Sequence, residues 1–408
     1  MKLMKRWSIK IHRFIAPIAK LMPNQKIYFD HSATAPVDPE VFKAMAPFFS
    51  EIFGNASSIH GFGQAAQTAV DEAREAVAEF LGAKTNEVIF TSGATESDNL
   101  VILGLAKPGE QIITSKIEHP AILEACREME KRGAEVTYLG VDAQGLVSLA
   151  ELQKAIKAET RLVSIMYVNN EIGTIQPIAK IGEMIKELNQ TRKEKIYFHT
   201  DAVQAANYCE MNVNKLGVDL MSLSAHKIYG PKGIGALYRR SGTPLRPIQF
   251  GGHQEAGLRP GTLNVPGIIG LGKAVELISQ DKKNLGEIRK LRDYLIEEIL
   301  KIIPKAQVNG DLKNRAPNNA HFSFYGVEGE SLLLLLDQRG IAVSTGSACS
   351  SGSLEPSHVL MALGLNPLLA HGSLRITLGK FNTKKEIDRL IEVLPGIVEK
   401  LRKMSPLK

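Results

Sequence analysis

Short apolar runs alternate with amphipathic stretches from residue 85 onward, and this alternation predicts strands that are separated by helices. Strands are predicted over the runs Glu87–Thr91, Gln111–Ser115, Leu162–Val168, Lys195–Thr200 and Asp219–Leu223. Helices are predicted over Ala121–Lys131 and Ile178–Leu188. The pattern is typical of an α/β fold in which helices cover both faces of a largely parallel sheet. Because ligands bind such sheets beyond the carboxyl ends of the strands, the residues after each run are candidate site residues.

A different pattern begins near residue 280 and predicts a second, smaller α+β domain. It opens with a helix over Leu285–Ile302 and closes with a helix over Lys384–Lys403, and strands are predicted at Asn319–Phe324 and Ser373–Leu378. We therefore predict a large domain over 38–279. The predicted small domain combines 27–37 with 280–408 and leaves 1–26 as an N-terminal extension.

The N-terminal extension has the pattern of a basic amphipathic helix that Pro17 ends or kinks. Residues 1–29 contain seven Lys and Arg residues and no acidic residue. Their Lys-rich composition favours an appendage that packs on its own domain or frays. Two alternatives stay open, which are membrane contact through residues 1–22 and an organelle transit peptide. We expect a cytoplasmic protein, or a mitochondrial matrix protein if the extension is a transit peptide.

Composition excludes several classes of protein. The 408 residues are 44% hydrophobic and 23% charged, as in an ordinary globular protein, and no apolar run is long enough for a spanning helix. The net charge of +7 equals the basic excess of residues 1–29, so the rest of the chain is neutral and nucleic acid is not expected as a partner. Three scattered cysteines, Cys126, Cys209 and Cys349, make neither a disulfide framework nor a zinc motif.

The predicted strand ends carry a consistent set of polar residues. Ser92–Glu96 forms a glycine turn into a helix, whose free N–H groups can hold an anion. Asp201 closes the fourth run, and Lys227 follows the fifth inside a Gly/Pro turn. Each feature also has an ordinary explanation as a turn or helix cap. Together, a Schiff-base lysine, a carboxylate partner for a ring nitrogen and a phosphate cradle fit a pyridoxal phosphate enzyme.

The joint pattern resembles the cysteine desulfurases of the NifS/IscS type, which are fold-type I pyridoxal phosphate enzymes of the class V aminotransferase superfamily. The resemblance runs from about Ile27 to about Ile391. It is carried by the strings YFDHSAT, SSIHGFG, FTSGATES, EHPAIL, NNEIGTIQPI, HTDAVQ, SLSAHKIYGPKGIGALY, GGHQEAGLRPGTLN, STGSACSSGSLEPSHVL and SLRITLGKFNT. It implies a large domain with a mostly parallel sheet between helices and a smaller α+β domain.

The resemblance also implies a role for individual residues. Lys227 would bind pyridoxal phosphate covalently, Asp201 would pair with its ring nitrogen, and Gln204 would bond its phenolic oxygen. His119 would stack on the ring and transfer protons. The phosphate would be held by Ala94, Thr95, Ser224, His226 and, from the other subunit of a homodimer, Thr262. Asn170 and Arg375 would bind the substrate carboxylate, for which a forked guanidinium is well suited.

The implied reaction removes sulfur from L-cysteine, gives L-alanine and leaves a persulfide on Cys349. The sulfur would pass to an iron–sulfur scaffold protein, to a relay for tRNA thiolation or to other cofactors. No resident metal is expected, although Cys349 is a candidate transient ligand of a cluster iron. Two enzymatic alternatives are a desulfurase of the selenocysteine lyase type and an aminotransferase on the same fold. The chain lacks the short Arg-x-Gly-x-x-Cys-Ala loop of the first, and the second needs no loop thiol.

Overall fold

The computed structural model describes residues 26–281, 284–345 and 356–405. Residues 1–25 of the predicted extension, and Cys349, lie outside the described residues. The strands are β1 Ile27–Tyr28, β2 Val88–Thr91, β3 Gln111–Ser115, β4 Glu135–Leu139, β5 Thr160–Ser164, β6 Tyr197–Asp201, β7 Leu220–Ser224, β8 Gly235–Arg239, β9 Ala306–Val308, β10 Asn319–Phe324, β11 Ile341–Ala342 and β12 Ser373–Thr377.

The helices of the described residues lie between these strands and after the last of them. They are α1 Pro39–Met45, α2 Gly61–Leu81, α3 Ala94–Leu105, α4 Pro120–Lys131, α5 Leu149–Ala155, α6 Ile178–Leu188, α7 Val213–Leu216, α8 Val265–Gln280, α9 Asn284–Ile302, α10 Gly329–Asp337, α11 His358–Ala362, α12 Pro367–His371 and α13 Lys384–Met404. None of these helices is both long and apolar enough to cross a bilayer.

The central sheet has seven strands in the order β2-β8-β7-β6-β5-β3-β4. Strand β8 is antiparallel to both of its neighbours, and the remaining pairs are parallel. This arrangement confirms the predicted fold class. The carboxyl ends of β3, β5, β6 and β7 therefore meet at one edge of the sheet.

Helices cover both faces of this sheet because alternate side chains of each strand point in opposite directions. In β2, Val88 and Phe90 join the core under α2, α6 and α8, whereas Ile89 joins the core under α3 and α4. Helix α2 packs against α8 on the first face, and α3 packs against α4 on the second. Burial on both faces explains why the strands read as short continuous apolar runs.

The second region has its own sheets and its own hydrophobic core. Strands β9, β10 and β12 form an antiparallel sheet in the order β12-β10-β9, and β1 pairs with β11. Their core is completed by α9, α10 and α13 and includes Phe29 from the start of the described chain. The division into 38–279 and 27–37 with 280–408 stays a prediction, to which this core distribution gives physical support.

Several predicted elements coincide with the structure, including β3, β10 and α6. The predicted strand Leu162–Val168 is wrong at its end, because β5 stops at Ser164. Beyond Ser164 the chain stays buried, with the Ile165 N–H donating to the His199 carbonyl at 3.1 Å and the Met166 N–H donating to the Glu118 carboxyl at 3.0 Å. Apolar composition alone does not distinguish such a buried connection from a strand.

Candidate active site

One cavity of about 620 Å³ lies at the edge where the parallel strands end. It gathers ten of the residues that the sequence predicts for the site. They are Ala94, Thr95, His119, Asn170, Asp201, Gln204, Ser224, His226, Lys227 and Arg375. Thr262 does not line the cavity and lies in an exposed turn before α8. Cys349 is outside the described residues.

The N-terminus of α3 forms one wall of the cavity. Helix α3 begins at Ala94, and its first N–H groups have no acceptor within the helix, so they are available to an anion. Gly93 precedes it with φ 155°. Gly235 of β8 makes this turn possible, because a Cβ atom there would lie 2.5 Å from the Leu223 carbonyl oxygen and 2.8 Å from Gly93 Cα.

Lys227 lies directly after β7 in a short 3₁₀ turn and is half-buried. Its Nζ donates to the carbonyl oxygens of Ser32 and Ala33, at 2.7 Å for Ala33. The Lys227 carbonyl accepts from Asn207 Nδ2 at 2.9 Å, which fixes the backbone of the turn. The amine is thus held on the cavity side by segment 32–33, far away in the sequence.

His226 belongs to the same turn and is placed beside the α3 wall. Its Nδ1 lies 3.1 Å from Thr34 Oγ1, and its carbonyl accepts from the Ala35 N–H at 2.8 Å. Burial, together with the charges of Lys227 and Lys232, lowers the pKa of His226 to about 4. The ring is therefore a neutral hydrogen-bonding group at physiological pH.

Asp201 ends β6 and presents its carboxyl group to the cavity. Its Oδ1 accepts from the Val203 N–H at 2.9 Å, so it is also a turn cap, as the sequence allowed. Burial raises the pKa of Asp201, and His119 and Lys227 oppose that shift. A buried carboxylate is stabilised by a cationic partner, so the site favours a protonated ring nitrogen at this point.

His119 precedes α4 and acts as its cap, because its Nδ1 accepts from the Ala121 N–H at 3.1 Å. Burial lowers the pKa of His119. Because Nδ1 is used as an acceptor, the neutral ring carries its proton on Nε2. Gln204 lies opposite and donates from Nε2 to the Ser32 carbonyl at 3.0 Å.

Arg375 lies on β12 of the antiparallel sheet β12-β10-β9 and lines the cavity. Its Nη1 donates to the Asn170 carbonyl at 2.9 Å, and its Nη2 pairs with Asp30 Oδ1 at 2.9 Å. Its buried Nε has no hydrogen-bond partner among the described residues. The guanidinium is therefore fixed at the cavity wall by bonds from both Nη groups within the protein.

Three buried carboxyl groups beside the cavity were not predicted from the sequence. Asp98 lies 3.7 Å from His199 Nε2, and burial together with the Asp201 charge raises its pKa well above the ordinary value. Burial raises the pKa of Glu118 to about 8 and that of Glu171 to about 7. No motif spacing marks them, because each depends on strands brought together by the fold.

The lining fits pyridoxal phosphate by the chemistry of its donors. A lysine amine, a buried carboxylate and a helix N-terminus with Thr95 and Ser224 match the aldehyde, ring nitrogen and phosphate of that coenzyme. Among the described residues, no group of three His, Cys, Asp or Glu side chains is arranged to hold a metal ion.

Comparison with known proteins agrees with this fold. The protein family described as "Aminotransferase class-V" matches residues 27–390, and the chain belongs to this family. It is 53% identical over 389 residues to the cysteine desulfurase IscS of Dictyoglomus turgidum, covering 94% of this chain and 97% of that one. The cysteine desulfurase IscS of Methanosarcina thermophila is also 53% identical, over 94% of this chain and 95% of its own length.

Solved structures give the same result. A NifS-like protein superposes with a TM-score of 0.84 at 39% identity, covering 93% of this chain and 99% of that chain. A structure described as SspA in complex with cysteine gives a TM-score of 0.76 at 38% identity, covering 88% and 100%. The resemblance to the cysteine desulfurases of the NifS/IscS type is thereby confirmed.

Proposed function

We propose that the cavity binds pyridoxal phosphate and L-cysteine and that this cysteine desulfurase transfers the substrate sulfur to its own Cys349. The observation that carries the proposal is the convergence of Lys227, Asp201 and Arg375 on one cavity. When bound, the coenzyme withdraws electrons from the carbon that carries the substrate amine. The protein supplies the groups that hold the coenzyme, place the substrate and move protons.

The coenzyme would be held at its two ends. Lys227 would bind it covalently, Asp201 would pair with the ring nitrogen, and Gln204 would bond the phenolic oxygen. The phosphate would lie at the N-terminus of α3, where Ala94, Thr95, Ser224 and His226 surround the cavity wall. His119 would stack on the ring face. His119 would also transfer protons, as the resemblance implies, with Nε2–H as the donor that its neutral ring carries.

The substrate carboxylate would bind to Arg375 and Asn170. This fixes the orientation of the amino acid, since the two Nη groups of Arg375 are already anchored on Asp30 and the Asn170 carbonyl. The Cys349 thiolate would then attack the substrate sulfur. The carbon–sulfur bond breaks, a sulfur–sulfur bond forms, and a proton replaces sulfur on the β-carbon. The products are L-alanine and a Cys349 persulfide, with atoms and electrons in balance.

A homodimer is part of the proposal, because Thr262 lies outside the cavity of its own chain and would contact the phosphate in the partner subunit. Exposed aromatic side chains around α1 and α2 support an interface there, since Phe42, Phe53 and Phe62 are each at least 60% exposed. The sulfur acceptor would be an iron–sulfur scaffold protein or a relay for tRNA thiolation. A cytoplasmic location stays a prediction from the cysteine usage.

The experiment mixes purified protein, L-cysteine and a thiol reductant and quantifies alanine and sulfide together. We expect equal amounts of the two products. Cys349→Ser should keep the bound coenzyme and lose both products, and Lys227→Ala should lose the yellow colour of the covalently bound coenzyme. Unchanged sulfide release by Cys349→Ser would overturn the nucleophile assignment. Amino-group transfer without alanine from cysteine would favour the aminotransferase alternative.

A further inference from the structure

Ser344 and Ser357, each two residues from segment 346–355, are bonded to Arg375 and to Glu171, which directly follows Asn170. On one side, Ser344 pairs with Arg375 in an antiparallel bridge, with the Arg375 N–H donating to the Ser344 carbonyl at 2.7 Å. On the other side, the Ser357 hydroxyl donates to Glu171 Oε2 at 2.5 Å. Cys349 lies between these two attachments in the sequence.

Glu171 is held firmly in its own loop. Its N–H donates to Asn169 Oδ1 at 2.9 Å, and its carbonyl accepts from Asn319 Nδ2 at 2.9 Å. The residue is 4% exposed and lies directly after Asn170. Burial raises the pKa of its carboxyl group to about 7, while the Ser357 hydrogen bond and the Arg375 charge oppose the shift. Burying a carboxyl group without a polar partner costs free energy, so the hydrogen bond from Ser357 stabilises Glu171 in this position.

Ser357 uses the same oxygen to cap α11, since Oγ accepts from the Leu360 N–H at 3.3 Å. The hydroxyl thus joins the start of α11 to the loop that carries Asn170. The two residues are 186 positions apart in the chain, so the bond joins distant parts of the fold.

We propose that Glu171 is a positioning residue whose carboxyl group, through Ser357, fixes the start of α11 on the substrate-binding loop. Together with the Ser344–Arg375 bridge, the Ser357–Glu171 bond fixes the chain on both sides of Cys349 relative to the residues that would bind the substrate carboxylate. This inference rests on the proposed function, because it assigns to Glu171 the alignment of thiol and substrate. A small misplacement of reacting groups costs up to about a hundredfold in rate.

The test compares Ser357→Ala with wild-type holoenzyme in a single turnover with L-cysteine. We expect the rate of alanine formation to fall about tenfold or more. Coenzyme affinity and equilibrium binding of L-cysteine, both followed by coenzyme absorption, should stay within about twofold. Ser357→Thr keeps the hydroxyl and should restore most of the rate. Glu171→Gln keeps the shape and one acceptor oxygen, and should fall between wild type and Ser357→Ala.

The matched control is Ser115→Ala. Ser115 makes an equivalent bond to a buried carboxyl beside the same cavity, with Oγ donating to Glu118 Oε1 at 2.6 Å. Its hydroxyl does not contact α11, and the bond between His358 Nε2 and the Glu118 carbonyl at 3.0 Å uses backbone that Ser115→Ala retains. Its single-turnover rate should stay near the wild-type rate, and thermal melting verifies folding of every variant. An unchanged rate in Ser357→Ala would overturn the inference, as would an equal loss of L-cysteine binding and rate. If wild type itself makes no alanine, the proposed function fails instead.

Discussion

The ion pair between Arg74 of α2 and Glu255 offers a quantitative test of how the large sheet region is held together. Glu255 and Ala256 have φ of 47° and 55°, a left-handed conformation that costs a non-glycine residue about 1–2 kcal/mol. The Glu255 side chain is only 1% exposed. Its carboxylate accepts from Arg74 Nη1 at 2.8 Å, from Arg74 Nη2 at 2.5 Å and from the Phe90 N–H at 2.8 Å.

Arg74 is held at this position by further contacts. Its Nη1 also donates to the Val88 carbonyl at 2.7 Å, and its guanidinium lies 4.5 Å from the Phe90 ring centroid. Removing one partner of such a buried pair costs about 3–5 kcal/mol, because the other charge stays buried. Relaxation of the left-handed backbone returns about 1 kcal/mol. Glu255→Ala should therefore lose about 2–4 kcal/mol, which lowers Tm by at least about 4 °C for a domain of this size.

The assay is a double-mutant cycle with Arg74→Ala, Glu255→Ala and both changes, measured by calorimetry. We expect a coupling of about 1–3 kcal/mol between the two sites. The exposed pair Lys273–Glu276 on α8, with N–O distance 3.0 Å, is the control and should couple by less than about 0.5 kcal/mol. Additive effects of Arg74→Ala and Glu255→Ala would refute the reasoning, since they would mean that the buried pair does not act as a unit.

Three further predictions concern the cavity. Asp201→Asn keeps an acceptor for the Val203 N–H but removes the charge, so coenzyme should dissociate about tenfold more readily in an absorption titration. Burial raises the pKa of Glu118 from 4.5 to about 8, so its contribution to stability is present below pH 4.5 and is lost as pH rises to 8. The Tm of Glu118→Gln relative to that of wild type should therefore rise from pH 5 to pH 8, and a constant difference would contradict this. Gly235→Ala places a Cβ 2.5 Å from the Leu223 carbonyl oxygen and should lower both Tm and coenzyme affinity, whereas Gly396→Ala, with open space at its Cβ, should leave both unchanged or raise Tm.

The sequence predicted the part of the site that depends on local structure. Parallel strands end at a common edge, so a residue directly after a buried run is placed by the strand itself. This rule brings Asp201 and Lys227 to the same cavity without any knowledge of longer-range contacts. The helix start at Ala94 follows from the glycine turn before it. Roles within the cavity came from the resemblance, because periodicity does not assign chemistry.

The contacts that sequence analysis missed join residues far apart in the chain. Lys227 Nζ is held by backbone carbonyls of Ser32 and Ala33, which any residue type would supply. Backbone acceptors leave no mark in a sequence. Glu171 and Ser357 lie in two of the strings that carry the resemblance, but nothing in the sequence indicates that they contact each other, because a buried carboxyl bonded to a hydroxyl uses residue types that are common on surfaces.

The short segment Asp30–Ala33 explains why the two sheet systems make one site. Asp30 pairs with Arg375, and the carbonyl oxygens of Ser32 and Ala33 accept from Lys227 Nζ. The Ser32 N–H also donates to Thr377 Oγ1 on β12 at 2.9 Å. Lys227 and Arg375, which we propose as the coenzyme and substrate ligands, are therefore fixed to one continuous piece of backbone, and a shift of β12 relative to the large sheet must move both. A substitution that displaces this segment should consequently reduce coenzyme and substrate binding together, unlike Ser357→Ala, which should slow turnover and leave both intact.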